Sequence, residues 1–124
     1  MENIVLTSAT NQANKIRKKN LKSSDLLKMH FDQIDRFNPE INAVIWEDRE
    51  TALKCAKKLD EDADKGNWRG PLHGVPITVK ESFDIKGAPS TWGHPHLKNH
   101  SAKLDSDAVS RLKEAGAIVF GMVL

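Results

Sequence analysis

Lys80 closes the run Gly70-Pro-Leu-His-Gly-Val-Pro-Ile-Thr-Val-Lys80, which reads as an apolar strand ending in a basic side chain. In a strand alternate residues face opposite ways, so Val75, Ile77 and Val79 share one face and Pro76, Thr78 and Lys80 the other. Parallel strands are usually covered on both faces, and ligands of open α/β sheets gather beyond the carboxyl ends of the strands. A lysine placed there is expected to be desolvated, which disfavours the ammonium and favours the neutral amine. A neutral amine can take a proton from a hydroxyl nucleophile. The residues alone leave a second reading open, in which Lys80 reaches water or pairs with Glu81 or Asp84.

Other chemistry-bearing residues weigh less. His94-Pro-His96 and His100 invite a metal reading, but Pro95 prevents a regular helix and no carboxylate or cysteine completes a ligand spacing. They are expected on a surface loop, with no metal. Cys55, the single cysteine, lies at helical spacing among Ala52, Ala56 and Leu59 and is expected as a packed core thiol. It has no internal disulfide partner, so nothing suggests an oxidising compartment. Trp92 is expected to pack under its loop, the competing role being the lining of an acyl pocket. Gly87, Gly93 and Gly121 are read as turn or close-approach positions.

The elements that must position Lys80 follow from periodicity. Ala9, Ala13 and Ile16 predict a helix to about Lys19, with caps among Thr7 to Thr10. Its basic end, Lys15-Ile-Arg-Lys-Lys19, is read as a solvated helix terminus. Ser23-Ser24-Asp25 should cap a second helix with the stripe Leu27, Phe31 and Ile34, ended by Asn38-Pro39. Residues 41 to 46 read as extended. Asp48 should cap a third helix to about Lys65 with Ala52, Cys55, Ala56, Leu59 and Ala63 inward, and Asp60-Glu-Asp-Ala-Asp64 is read as a solvated acidic face. Val75 to Val79 is a strand, a Gly-, Pro- and His-rich excursion runs from Ser82 to about Lys103, and Ser106-Asp107 caps a helix with Ala108, Val109, Leu112 and Ala115 inward. Ala117 to Phe120 is a second strand, giving a parallel βαβ unit.

At 124 residues the chain has the size of one domain. Nineteen basic against seventeen acidic residues leave a net charge of +2, which makes no case for nucleic acid. The first residues hold no signal-peptide pattern and no stretch approaches membrane-spanning length, so a cytoplasmic protein is expected.

The segment from Gly70 to Glu81 resembles the lysine motif of the amidase signature family. Ser82-Phe-Asp-Ile-Lys-Gly87, Ser90-Thr-Trp-Gly93 and Asp107-Ala-Val-Ser-Arg-Leu-Lys-Glu-Ala-Gly-Ala-Ile-Val-Phe-Gly121 fall in that family's order, as does Asp35-Arg-Phe-Asn-Pro-Glu-Ile-Asn-Ala43 in the helical front. The resemblance spans about Ala9 to Gly121. It implies an α/β fold: a helical layer over about 8–66 and a strand–crossover–strand unit over 70–121, packed as the start of a mixed sheet. It also implies hydrolysis of carboxamide C–N bonds by a serine nucleophile, a second serine with a cis peptide bond, and a lysine, with no cofactor. Lys80 takes the lysine's place and His73 a structural one in the turn before the strand.

The family's Gly/Ser-rich segment bearing both serines follows the last strand and has no counterpart in these 124 residues. Ser82, Ser90 and Ser101 lack glycine-rich surroundings and are not candidates for nucleophile. Met122-Val-Leu124 departs from the family's usual Lys-Thr-Asn, which reads as a break in the frame or an artificial end. The expectation is therefore an incomplete amidase domain, inactive alone, whose small-molecule amide substrate concerns the complete enzyme. Two alternatives stand beside it: a non-catalytic interaction protein of amidase ancestry, and the front end of a tRNA-dependent amidotransferase. Self-association through an exposed sheet edge is expected, since the last strand should lie mid-sheet in the family.

Overall fold

The structure is a computed structural model and describes residues 3–124. Helix α1 (Ala9–Arg17) starts where Ser8 accepts a hydrogen bond from the Asn11 N–H, satisfying one of the open donors of a first turn. Buried Gln12 ties the preceding turn to it by donating to Ile4 O at 3.1 Å.

Helix α2 (Ser23–Ile41) buries Leu26, Leu27 and Phe31. Two of its expected boundaries differ. The cap does not come from Ser23-Ser24-Asp25, which are already helical. Asp60, 37 residues beyond Ser23, accepts from the Ser23 N–H at 2.7 Å and also bonds Ser24. Nor does the helix end at Asn38-Pro39. It runs to Ile41 and stops at Asn42, whose φ of 46° is left-handed. Pro39 lies in the last turn, where its missing N–H forfeits a single backbone bond, and the Asn38 amide clamps both the N–H and C=O of Val44 at 2.9 Å.

Strand β1 (Val44–Glu47) is shorter than the extended segment expected from 41 to 46. Helix α3 (Arg49–Asp64) is capped by Asp48, as its sequence predicts. Ala52, Ala56 and Leu59 pack with Leu27 and Phe31 against the sheet; Cys55 is exposed and Ala63 only half-buried. Phe31 meets Phe120 edge-on at 5.5 Å between ring centroids, the geometry aromatic quadrupoles favour. The acidic run on α3 is not a uniformly solvated face. Asp60 caps α2, and buried Asp62 pairs with Arg69 at 2.8 Å and Lys58 at 3.3 Å.

The remaining elements are β2 (Pro76–Lys80), α4 (Asp107–Glu114) and β3 (Ile118–Val123). Of the residues expected inward on α4, Val109 is buried, Leu112 and Ala115 are half-buried, and Ala108 is exposed. The sheet among the described residues has the order β1-β3-β2, with β3 parallel to β2 and antiparallel to β1. The parallel βαβ unit is thus present. Strand β3 extends past Phe120 to Val123 because both β1 and β2 pair with Gly121, Met122 and Val123.

One extra residue in β3 sets the side-chain faces. Ile77 lies opposite Val119 but Thr78 opposite Gly121, so Phe120 is a bulge. Ile118 and Phe120 face the α2–α3 core, whereas Val119 and Met122 face a second cluster of Ile85, Ala88 and Val109. Without the bulge Met122 would alternate onto the first face. Gly121 sits where a Cβ would lie 2.7 Å from the Trp46 carbonyl oxygen, so the β1–β3 approach requires glycine. The exposed edge is not the last strand's: β3 is central, and the edges belong to β1 and β2.

Candidate functional site

The turn before β2 is held from behind. The Arg69 N–H donates to His73 Nδ1 at 3.0 Å, so the proton sits on Nε2, which donates to Leu59 O at 2.9 Å. His73 is buried, its ring is 5.0 Å from that of Trp68, and the Arg69 side chain holds Asp62. His73 thus has the structural place expected of it. Gly74 passes with φ 79°, so close to Ser23 that a Cβ would overlap its side chain.

From this anchor β2 runs outward, from buried Pro76 through half-buried Ile77, Thr78 and Val79 to exposed Lys80. Lys80 is at the carboxyl end of its strand, where sequence reasoning put it, but the expected enclosure is not provided by these residues. As the last residue of an edge strand, Lys80 gains little cover. Nor does it pair with its acidic neighbours. Glu81 accepts from Thr91 Oγ1 at 2.6 Å and Asp84 accepts from Ser90 Oγ at 2.7 Å. Among the described residues Lys80 forms no ion pair.

Those two bonds fold the excursion back toward the strand end. Backbone bonds from Gly87 to Ala102, Ala102 to Ala88 and Ser90 to His100 close it into a short antiparallel ladder over buried Ala88 and Ala102. Trp92 is at its tip with φ 52° and 62% exposure, so the expected packing under the loop is not found. Left-handed backbone at Trp92 and Gly93 turns the chain away from the ladder. His94, His96 and His100 are exposed, and among the described residues no group of three ligand-type side chains is placed for a metal. The Ser90 hydroxyl is committed to Asp84, and Ser101 is exposed.

A separate cleft of about 360 Å³ lies near the start of β3, lined by Trp46, Ala52, Cys55, Ile85, Lys113 and Ile118 among others. Because β2 and β3 are parallel, Ile118 marks the sheet end opposite Lys80. Desolvation pushes the Cys55 thiol up, Arg69 and Lys113 pulling the other way. That is the direction of a poor nucleophile. Sequence spacing could not reveal this cleft, since α3, the sheet and the excursion form it jointly.

No described helix is long and apolar enough to cross a membrane. The family model described as Amidase matches residues 25–123. The chain is 40% identical over 115 residues to an indoleacetamide hydrolase from Bradyrhizobium diazoefficiens, covering 93% of this chain and 22% of that protein. It is 32% identical over 120 residues to an acylamidase from Rhodococcus erythropolis, covering 97% of this chain and 25% of that protein. It superimposes on the native peptide amidase from Stenotrophomonas maltophilia with a TM-score of 0.84 at 30% identity, covering 95% of this chain and 24% of that one. The chain therefore spans about a quarter of the length of these relatives. Sequence and fold agree over nearly all of its residues, and the chain belongs to the amidase signature family.

Proposed function

We propose that Lys80 is the proton acceptor of a carboxamide-hydrolysing site whose two serines lie outside these 124 residues. The observation that carries this is the unpartnered Lys80 amine at the carboxyl end of β2, with both neighbouring carboxylates engaged elsewhere. With Glu81 held by Thr91 and Asp84 by Ser90, neither neighbouring carboxylate competes with a hydroxyl for the Lys80 side chain. In the assembled site the amine takes a proton from the bridging serine, and that serine takes the proton of the nucleophile. The nucleophile then attacks the amide carbon, backbone N–H groups stabilise the oxyanion, the C–N bond breaks with the returned proton leaving on the amine product, and water then cleaves the serine ester to release the carboxylic acid and restore the serine. A metal ion or organic cofactor has no part in these steps.

Hydrolysis of a small carboxamide is favoured over tRNA-linked amidation. The 40% identity is to a hydrolase, and a net charge of +2 supplies no concentrated field for a polyanion. On this reading the 124-residue chain alone gives no amide turnover. A chimera in which it replaces the aligned segment of the Bradyrhizobium hydrolase restores turnover of that enzyme's amide substrate. Steady-state assays of the two proteins test this. Turnover by the isolated chain, or a chimera that unfolds as cooperatively as its parent yet hydrolyses nothing, contradicts it.

A further inference from the structure

Two hydroxyls of the excursion reach back to the segment that follows β2. Ser90 and Thr91 are consecutive, and each donates to a carboxylate: Ser90 Oγ to Asp84 Oδ1 at 2.7 Å, Thr91 Oγ1 to Glu81 Oε1 at 2.6 Å. Both lengths are those of charge-assisted bonds. The two residues differ in what else they do. Ser90 is buried and its N–H donates to His100 O inside the ladder, so it belongs to the packing of the excursion. Thr91 is half-buried and holds the carboxylate next to Lys80 in the chain.

The backbone around Thr91 aims its hydroxyl. The His94 N–H donates to Thr91 O at 2.9 Å, closing a turn whose central residues, Trp92 and Gly93, have φ of 52° and 72°. Positive φ at both positions is the signature of a type I′ turn, which ordinarily takes Gly, Asn or Asp. A tryptophan in the first of them is strained and persists only where its surroundings hold it. That turn brings the Gly93 N–H to 3.3 Å from Thr91 Oγ1. The donor occupies one lone pair of the Thr91 oxygen and leaves its proton directed at Glu81. The Glu81 backbone is fixed as well, because the Phe83 N–H closes a second turn on Lys80 O at 3.0 Å. With the main chain set on both sides, the Glu81 side chain alone decides whether its carboxylate meets Thr91 or Lys80. Every bond of this arrangement joins residues between Lys80 and His100.

We infer that Thr91 is a positioning residue of the proposed site, holding the Glu81 carboxylate off Lys80 so that a hydroxyl meets no competitor there. This rests on the reading of Lys80 as proton acceptor. Thr91 itself touches neither substrate nor the reacting atoms; it acts through Glu81. The excursion thus has a task at the strand end besides covering Ala88 and Ala102.

The rate at which acetic anhydride acylates Lys80 in the 124-residue chain, read by peptide mass spectrometry, tests the inference. Thr91→Val keeps the shape, frees Glu81 to pair with Lys80, and slows labelling about two- to fivefold, the worth of an exposed ion pair. Thr91→Ser keeps the hydroxyl and the unaltered rate. Adding Glu81→Gln to Thr91→Val restores that rate, which a merely structural role for Thr91 would not allow. Equal labelling of Thr91→Val and the unaltered chain overturns the inference. So does a Thr91→Ser chain as slow as Thr91→Val, or a slow rate that Glu81→Gln fails to restore. If Thr91→Val does not fold, Glu81→Gln alone decides: it leaves labelling unchanged where Thr91 already holds Glu81, and faster labelling overturns the inference. In the chimera with the Bradyrhizobium hydrolase, Thr91→Val lowers kcat for indoleacetamide with little change in KM, and Glu81→Gln again restores it. A Thr91→Val chimera with unchanged kcat, in a protein that loses turnover on Lys80→Ala, overturns the inference alone. Turnover that survives Lys80→Ala overturns the underlying reading of Lys80 instead.

Discussion

Arg69 ties three segments together: its guanidinium holds Asp62 on α3, and its N–H fixes the tautomer of His73, whose other nitrogen reaches back to Leu59. The β2 strand leaves from this knot, so its course toward Lys80 is set from Arg69, eleven residues earlier in the chain. Replacing His73 by Leu keeps the volume but strands the Arg69 N–H, while the Leu59 carbonyl keeps its place in the α3 ladder. A loss of about 1–3 kcal/mol in urea unfolding is expected, the usual cost of one orphaned buried donor. Asp62 gives a pH signature. Burial pushes its carboxyl up, but hydrogen bonds from Lys58 and Arg69 outweigh this and hold it below its ordinary value. A carboxyl depressed in the folded state adds stability above its unfolded pKa of ~3.9, and that stability disappears as pH falls through the folded value. Asp62→Asn should therefore lower the urea midpoint at pH 7 and have progressively less effect below pH ~4. An equal effect at both pH values would mean that the contact acts through packing.

At the scale of elements, contacts between distant segments decide what local rules do not. The caps from Ser8, Asp48 and Ser106 lie within three residues of the N–H groups they bond and were readable from sequence. The cap of α2 was not, because Asp60 arrives from another helix and nothing in its neighbourhood announces a partner 37 residues away. Asp60→Ala should cost about 1–2 kcal/mol, the usual loss for an N-cap carboxylate; a change near zero in chemical denaturation would remove Asp60 from that role. The β3 bulge was equally hidden. The apolar run Ala117 to Phe120 announces a strand, but that it continues through Gly121 to Val123 depends on β1 and β2 pairing with those residues from either side. Gly121→Ala puts a methyl against the Trp46 carbonyl and should destabilise by about 1–3 kcal/mol, as overpacking does. The end of β2 could be placed from alternation and motif, whereas the exposure of Lys80 could not, since that depends on which strands flank the edge.

For the whole molecule, the helix-backed three-stranded sheet and the folded-back excursion form a platform with Lys80 exposed at the carboxyl end of β2. The chain matches amidases over nearly its full extent while spanning about a quarter of their length, and the proposed chemistry needs hydroxyls that these residues do not bring to Lys80. On the proposed reading, turnover requires hydroxyls brought to Lys80 by residues outside these 124. The direct test is kcat/KM of the chimera with the Bradyrhizobium hydrolase before and after Lys80→Ala. Loss of a proton acceptor should lower it by ~10²–10⁴, carried by kcat with little change in KM or in unfolding. A Lys80→Ala chimera that keeps its kcat/KM would show that Lys80 is not the base.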